Sequence, residues 1–429
     1  MKIAIAGYGL EGESSYLYWS KDANNQITIF DERKPSRELP DGIETVISSD
    51  AFEKMYGYDL VIRTAGLAPR KIKTDGKIWS STNEFFDKCP AKIIGVTGSK
   101  GKGTTASLIA SILRAAGKKV WLLGNIGEPS LSNLDQIQSD DIVVYELSSF
   151  QLWDIEKSPS IAVVLFIEQE HLDVHASMEE YVAAKANITK YQTSEDILVY
   201  NKFNDYARSI ADDSGSQLVG YPDKLSAHVK TGQFCYGDQF ICSVDVLQII
   251  GEHNHENACA AIDAIWYYTQ DISVIEKGLR DFTGLPHRLQ FVDEIDGVKY
   301  YDDSIATTPS SAIAALRSFN GPKVIILGGS SKGSDYTELS KELKVHESQA
   351  ILIGDEANNI AATCERNGFY DYEIIHDANM EKVVRRAREM ANAGGYVLLS
   401  PASASFGLFK NYADRGDQFR EAVKMLQYI

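Results

Sequence analysis

The chain is poor in cysteine, in basic charge and in long apolar runs. Its 429 residues contain five cysteines, at positions 89, 235, 242, 259 and 364. The number is odd and no pair has metal-ligand spacing. That argues against a disulfide framework or a zinc ribbon, and reduced cytosolic thiols are expected. Lysine and arginine number 43 against 60 acidic residues, for a net charge of −17. This surplus of acid argues against nucleic-acid binding but leaves room for local phosphate sites. No apolar stretch reaches the ~18 residues of a membrane span, and the opening Met1-Lys-Ile-Ala-Ile-Ala-Gly7 is too short for a signal peptide. No membrane partner is therefore expected. Internal repeats and low-complexity segments are absent, which excludes a repeat architecture.

What is present is a globular composition, 44% hydrophobic and 24% charged, in a chain too long for one core. About two to four domains follow from the length. The most informative stretch is Gly95-Val-Thr-Gly-Ser-Lys-Gly-Lys-Gly-Thr-Thr105. A largely apolar run leads into it, and residues 106–116 follow with helical spacing. Strand, glycine-rich turn, lysine, hydroxyl and helix in this order cradle a polyphosphate. Backbone N–H groups from Gly98, Ser99, Lys100, Gly101 and the helix N-terminus point at the anion, and Lys102 reaches the terminal phosphates. Gly103 stands where Ser or Thr usually follows the lysine, so the Mg²⁺-binding hydroxyl comes from Thr104 or Thr105. The bland alternative is a turn that merely caps a helix.

Residues 2–6 read as a buried strand. Gly7-Tyr-Gly-Leu-Glu-Gly12 turns into a helix reaching Ser20, and a second strand, 27–30, ends at Asp31. A GxGxxG with an acid on the next strand is the dinucleotide fingerprint. Its N–H groups suit any diphosphate, and Asp31 suits any ribose or base edge. A nicotinamide oxidoreductase using Gly7, Gly9, Gly12 and Asp31 is therefore one reading, but it leaves the phosphate loop unexplained. Another strand, 59–62, runs into Arg63-Thr-Ala-Gly66, and this unit closes near Pro90. The second unit has strands at 119–123, 141–145 and 161–166. The middle one delivers Glu146, and the last delivers Glu168, Glu170, His171 and Asp173. A helix over 178–188 carries Lys185. Further strands, at 197–200 and within 234–250, precede Gly251-Glu-His-Asn-His-Glu-Asn257, which opens a helix over 258–268. Gly284-Leu-Pro-His-Arg288 marks the next boundary. In the third unit, strands at 298–301, 323–327, 350–353 and 396–399 each end in a polar turn. Alternating strands and helices make every unit α/β, with mostly parallel sheets and ligands at the carboxyl ends of the strands. The expected domains are 1–90, 91–284 and 285–429.

Two acid-bearing strand ends beside a phosphate loop suit metal-bound ATP. Mg²⁺ prefers oxygen ligands, so Glu146 and Thr104 are candidates. His171 either sits near the metal, places substrate, or is a capped surface histidine. Asn254 and Asn257 share a helix face and either read an adenine edge or cap. Arg288 meets phosphates at the joint or forms a surface ion pair.

Taken together, GVTGSKGKGTT (95–105), YELSSFQL (145–152), EHLDVH (170–175), YVAAKANI (181–188), GEHNHENA (251–258), FTGLPHR (282–288), DDSIATTP (302–309), LGGSSKGSD (327–335) and LLSPASASFGLFKNYADRG (398–416) resemble the Mur ligases. These are ATP-dependent amide-forming enzymes of peptidoglycan precursor synthesis. The series spans nearly the whole chain, in order. Its last three motifs most resemble the members that add D-glutamate to UDP-N-acetylmuramoyl-L-alanine.

The resemblance implies an N-terminal Rossmann-like UDP-binding domain, a central P-loop ATPase-like domain and a C-terminal Rossmann-like domain. It implies that Leu10, Glu11, Asp31, Glu32, Arg33, Thr64, Ala65 and Gly66 line the uridine diphosphate, with Asn125 and His171 nearer the sugar. Lys102 and Thr104 take the ATP phosphates, and Asn254, Asn257, Arg288 and Asp303 hold the nucleotide. Thr104 and Glu146 hold one Mg²⁺. His171 and a carbamoylated Lys185 flank a second. Thr307, Lys332, Ser405 and Tyr412 bind the incoming amino acid. A cytoplasmic monomer is expected. Departures from the family pattern include Gly103, Phe166 where many relatives have Asn, Ala65 for a Pro, and Ile305 where some have Lys. The GKG-then-hydroxyl order also resembles folylpolyglutamate synthases, which normally lack the N-terminal GxGxxG domain.

Overall fold

The computed structural model describes every residue except Ser36, 126–128, Asp173, Lys332, Asp377, Ala378 and Ile429. Its contacts fall into two compact units, one of residues 1–246 with 253–281 and one of 247–252 with 282–429. Among the described residues no helix is long and apolar enough to cross a membrane.

The first unit opens with strands β1 (Lys2–Ala6), β2 (Gln26–Asp31), β3 (Glu44–Ile47), β4 (Leu60–Arg63) and β5 (Lys77–Ser80), with helices α1 (Leu10–Trp19) and α2 (Ser81–Lys88). The strands form a parallel sheet in the order β3-β2-β1-β4-β5. A second parallel sheet, β11-β10-β9-β6-β8-β7, follows. Its strands are β6 (Lys92–Thr97), β7 (Val120–Gly124), β8 (Ile142–Glu146), β9 (Ile161–Val164), β10 (Ile197–Asn201) and β11 (Gln217–Tyr221). Apolar runs such as Ile142-Val-Val-Tyr145 are buried throughout, as a sheet covered on both faces requires. Its helices are α3 (Lys102–Ala115), α4 (Ser149–Leu152), α5 (Met178–Ala186), α6 (Asp205–Asp212), α7 (His253–Ile265) and α8 (Ile272–Asp281). An antiparallel sheet of β12 (Ala227–Lys230), β13 (Gln233–Tyr236) and β14 (Gln239–Ser243) precedes α7. One apolar core joins the two large sheets: Phe85 and Phe86 of α2 pack on Tyr145 of β8, with ring centroids 5.4 and 5.3 Å away.

The second unit is a six-stranded sheet ordered β15-β16-β20-β17-β18-β19. Its strands are β15 (Gln290–Ile295), β16 (Val298–Asp302), β17 (Lys323–Gly328), β18 (Gln349–Ile353), β19 (Tyr372–Ile375) and β20 (Tyr396–Leu399). Only β15 runs antiparallel to its neighbour. Helices α9 (Pro309–Arg317), α10 (Thr337–Val345), α11 (Ala357–Arg366) and α12 (Met380–Met390) connect strands, α13 (Tyr412–Met425) follows the last one, and apolar cores fill both faces.

Candidate active site

In the first sheet the strand order reverses between β1 and β4, so the loops leaving their carboxyl ends share one crevice. The loop after β1 turns at Gly7, φ +92°. A Cβ on Gly7 would lie 2.5 Å from Thr64 Oγ1, and one on Gly12 would lie 2.1 Å from the Gly7 carbonyl oxygen. Asp31 points back into this turn: Oδ2 accepts from Tyr8 N–H at 2.9 Å and Oδ1 from Arg33 N–H at 3.2 Å. Glu11 accepts from Ala65 N–H at 2.7 Å and from the Ser81 hydroxyl. Thr64 Oγ1 donates to the Ala6 carbonyl at 2.9 Å. Glu11, Asp31, Thr64 and Ala65 are thereby knitted into the loops of one crevice. Leu10 opens α1 with its side chain exposed, and Glu32, Arg33 and Gly66 are also exposed.

The phosphate loop leaves β6 in the middle of the second sheet. Gly98 (φ +155°) and Gly101 (φ +83°) set its path. A Cβ on Gly101 would sit 2.3 Å from Asn257 Oδ1. Lys102 donates from Nζ to the carbonyls of Gly98 (3.0 Å) and Ser99 (2.8 Å). Ser99 Oγ donates to the Glu168 carbonyl and accepts from Glu168 N–H, both at 2.9 Å, which binds the loop to the exit of β9. Lys100 pairs with Glu168 at the surface. Thr105 is fully buried and donates to Asn257 Oδ1 at 3.3 Å. Thr104, half-buried beside Gly103 in the first turn of α3, is thus the hydroxyl suited to a metal. Asn257 donates to Asn254 Oδ1 at 3.0 Å, so this pair on α7 underpins the loop.

Glu146 ends β8 in register with Val96 of β6 and is 4% exposed. Its Oε1 accepts from Asn125 Nδ2 at 3.2 Å, and its carbonyl from Asn125 N–H at 3.1 Å. Lys185, on α5, is 1% exposed and donates to the Gly98 carbonyl at 2.7 Å. Its Nζ stands 4.6 Å from the centroid of the Tyr181 ring, one helical turn earlier. Burial, and then repulsion from Lys102, push the Lys185 amine well below the ordinary lysine range, against the pull of Glu170 and Glu146. His171 adopts φ +57°. Its exposed ring lies 5.0 Å from that of Phe150 and 6.4 Å from that of Tyr181. Among the described residues no three His, Cys, Asp or Glu side chains gather as metal ligands. Mg²⁺ that keeps waters and shares phosphate oxygens needs only one or two carboxylates. Thr104 and Glu146 fit that need. Lys185 fits only once its positive charge is gone.

In the second unit Asp303 follows β16. It is buried, and its carboxylate accepts from Leu289 N–H at 3.1 Å and from the Ser400 hydroxyl at 2.7 Å. Burial pushes its carboxyl up to about 7, against these two hydrogen bonds and the charge of the exposed Arg288. His287, φ +60°, is buried with Nδ1 2.7 Å from Asp302 Oδ2. Both pack on Gly416, where a Cβ would fall 2.1 Å from His287 Nδ1. Arg415 is fully buried and donates from Nε to Ser304 Oγ (2.9 Å), from Nη2 to the Ser304 carbonyl (2.8 Å) and from Nη1 to the Ser403 carbonyl (3.2 Å). Burial lowers its guanidinium to about 10. The Ser304 hydroxyl donates to the Tyr412 carbonyl at 2.7 Å. Ser405 is buried, Thr307 half-buried and the Tyr412 side chain exposed. Lys332 lies outside the described residues.

Tyr181, His287, Asp302 and Arg415, on which this geometry rests, are not singled out by the sequence. Tyr181 carried a signal, standing four residues before Lys185 on the same helix face. His287 and Asp302 adjoin Arg288 and Asp303 in the quoted motifs.

A family model described as "Mur ligase middle domain" matches residues 96–265, and one described as "Mur ligase, glutamate ligase domain" matches 287–403. The chain is 38% identical to the UDP-N-acetylmuramoylalanine–D-glutamate ligase of Acetivibrio thermocellus and 35% identical to that of Clostridium tetani. Each match covers 99% of this chain and 97% of the relative. The solved MurF ligase of Thermotoga maritima, in complex with ADP, superposes with a TM-score of 0.57 at 19% identity, covering 100% of this chain and 95% of that one. That likeness concerns the fold. The whole-length identity and the two domain matches, on an architecture with a phosphate loop, a strand-end glutamate and a buried lysine together, show that the chain belongs to the Mur ligase family.

Proposed function

We propose that this Mur ligase adds D-glutamate to UDP-N-acetylmuramoyl-L-alanine, driven by ATP, in the cytoplasm and as a monomer. One observation carries the chemistry: Lys185, buried and with a depressed pKa, bonds the phosphate loop at the Gly98 carbonyl beside Glu146. The substrate rests on the whole-length likeness to D-glutamate ligases. The division into domains 1–90, 91–284 and 285–429 belongs to the same reading.

A carboxylate is a poor acyl donor at neutral pH. The carboxylate oxygen of the lactoyl-alanine attacks the γ-phosphorus of ATP, and ADP leaves with the bridging electron pair. The glutamate amine then attacks the acyl phosphate carbon, loses a proton, and phosphate departs from a tetrahedral intermediate. Lys102 exchanges its bonds to Gly98 and Ser99 for phosphate oxygens and neutralises charge as the phosphoryl group moves. Asn254, Asn257, Arg288 and Asp303 hold the nucleotide. Leu10, Glu11, Asp31, Glu32, Arg33 and 64–66 hold the uridine diphosphate, with Asn125 and His171 toward the sugar. Thr307, Lys332, Ser405 and Tyr412 hold glutamate. Mg²⁺, held by Thr104 and Glu146 at one site and by His171 and carbamoylated Lys185 at the other, supplies positive charge against the phosphates when bound. An uncharged Lys185 amine adds to CO₂ to give a carbamate and a proton, and burial supports this by disfavouring the protonated, charged form of the amine. The carbamate replaces a repelling cation with an oxygen ligand.

Phosphate release from ATP with UDP-N-acetylmuramoyl-L-alanine tests the reading, with D-glutamate, L-glutamate, L-lysine and diaminopimelate in parallel. Release with D-glutamate alone, and a product heavier by one glutamyl unit, is expected. Release with another amino acid overturns the substrate assignment, and silence with all four overturns the ligase itself.

A further inference from the structure

Arg63 is the last residue of β4 and is completely buried. Burying a guanidinium is costly unless its fixed fork of donors is filled. Here the fork is filled. Nε and Nη2 donate to the two carboxylate oxygens of Asp154 at 2.9 and 2.6 Å. Nη2 also donates to the Phe150 carbonyl at 3.0 Å. Nη1 donates to the carbonyls of Leu67 (3.0 Å), Ala65 (3.0 Å) and Thr64 (3.3 Å). One side chain thus gathers two segments far apart in sequence, 64–67 after β4 and 150–154 around α4.

Each segment carries something further. In a trans peptide the carbonyl and the following N–H point opposite ways. Drawing the Ala65 carbonyl inward therefore turns the Gly66 N–H outward, on an exposed glycine whose Cβ position is open. The Ala65 N–H is meanwhile committed to Glu11. In the other segment, the Phe150 ring lies against His171 and stacks on His175 at 5.4 Å, and His175 N–H holds the His171 carbonyl at 2.9 Å. Asp154 is itself anchored, its carbonyl accepting from Asn83 Nδ2 at 2.8 Å.

We propose that Arg63 is a positioning residue for the UDP-linked substrate. It orients the peptide planes of 64–67 so that Gly66 presents a backbone donor, and it locks that loop to the segment that carries Phe150 against His171. This rests on the reading of the β1–β4 crevice as the uridine diphosphate site. No other side chain at position 63 supplies the same fork: lysine has one nitrogen and three donors for six acceptor contacts.

The test is steady-state kinetics of the full chain as R63K and D154N, varying the UDP-linked substrate at saturating ATP and then the reverse. In R63K the KM for the UDP-linked substrate should rise about ten-fold or more, because a misplaced positioning group weakens binding steeply, while the KM for ATP stays within about two-fold. D154N keeps the carbonyl contacts and should raise the same KM by a smaller factor, about three-fold. An unchanged KM for the UDP-linked substrate in R63K overturns the proposal, and so does an equal rise in both constants or a fall in kcat alone. Should R63K fail to fold, D154N decides on the same criterion. Wild-type protein that never turns over the UDP-linked substrate would overturn the functional reading instead, so the two failures are distinct.

Discussion

Exchanging Asp303 for asparagine should flatten the pH dependence of stability around neutrality. The Asp303 carboxyl is pushed from 3.8 to about 7 by burial. The native state therefore holds this proton more tightly than the unfolded chain does. Stability from the group is fully present below about 3.8 and is lost as pH rises through about 7. At ~1.4 kcal/mol per pKa unit, a gap of about three units amounts to about 4 kcal/mol. About half of it falls between pH 5.5 and 8.5, most of that below 7. Asparagine copies the protonated acid: its Oδ1 still accepts from Leu289 N–H, and the Ser400 hydroxyl rotates to accept from Nδ2. Urea denaturation of the full chain at pH 5.5 and 8.5, wild type beside D303N, reads the difference. Wild type should lose about 2 kcal/mol more than the variant between the two pH values. Equal losses would refute the reasoning, since they would mean that Asp303 is ionised in the fold at both.

Lys185→Ala should lower the ligase rate by about a hundred-fold or more. Short carboxylic acids should restore part of it by standing in for the carbamate, and full activity in the variant would remove Lys185 from the reaction. Thr104→Ala should raise the Mg²⁺ concentration for half-maximal rate about ten-fold. Thr105→Val should leave that concentration unchanged and destabilise by about 1 kcal/mol through its lost bond to Asn257, so the reverse pattern in metal titrations would assign the hydroxyl to Thr105. Gly101→Ala faces both φ +83° and the Asn257 amide at 2.3 Å, and a thermal melt should show a loss of about 1–3 kcal/mol; an unshifted melt would contradict that geometry.

The central strands were legible because they are buried on both faces. The runs expected at 2–6, 27–30, 141–145 and 161–166 are largely apolar, and each overlaps an observed strand. The edge strands β3, β5 and β19 escaped because they are short and partly exposed, so their polar residues mask the pattern. The stretch expected as strand over 234–250 ends at Ser243 and forms an antiparallel hairpin. The helix expected from 258 begins at His253. Asn254 and Asn257, expected to share a helix face, lie near its polar start and are buried beneath the phosphate loop. Lys102, Glu146 and Lys185 were recognisable from their neighbours in sequence. Arg63 was not: an arginine at a strand end reads as surface charge, and its acceptors at 150 and 154 lie too far along the chain for any spacing rule. The packing of Phe85 and Phe86 on Tyr145 is invisible for the same reason.

The six residues 247–252 belong to the second unit although they precede α7 and α8 of the first. Ile250 packs against that unit's core, and Ile249 Cγ2 lies 3.3 Å from the Cβ position of Gly284. The polypeptide therefore enters the second unit, leaves it and returns, so the unit is not an interval of the gene. A fragment begun at Phe282 would lack a piece of its own interior. One begun at 247 would drag along two helices that pack elsewhere. During synthesis the first piece of the second unit emerges before the last helices of the first, and it must wait, unpaired with its own core, until 282 and beyond have left the ribosome.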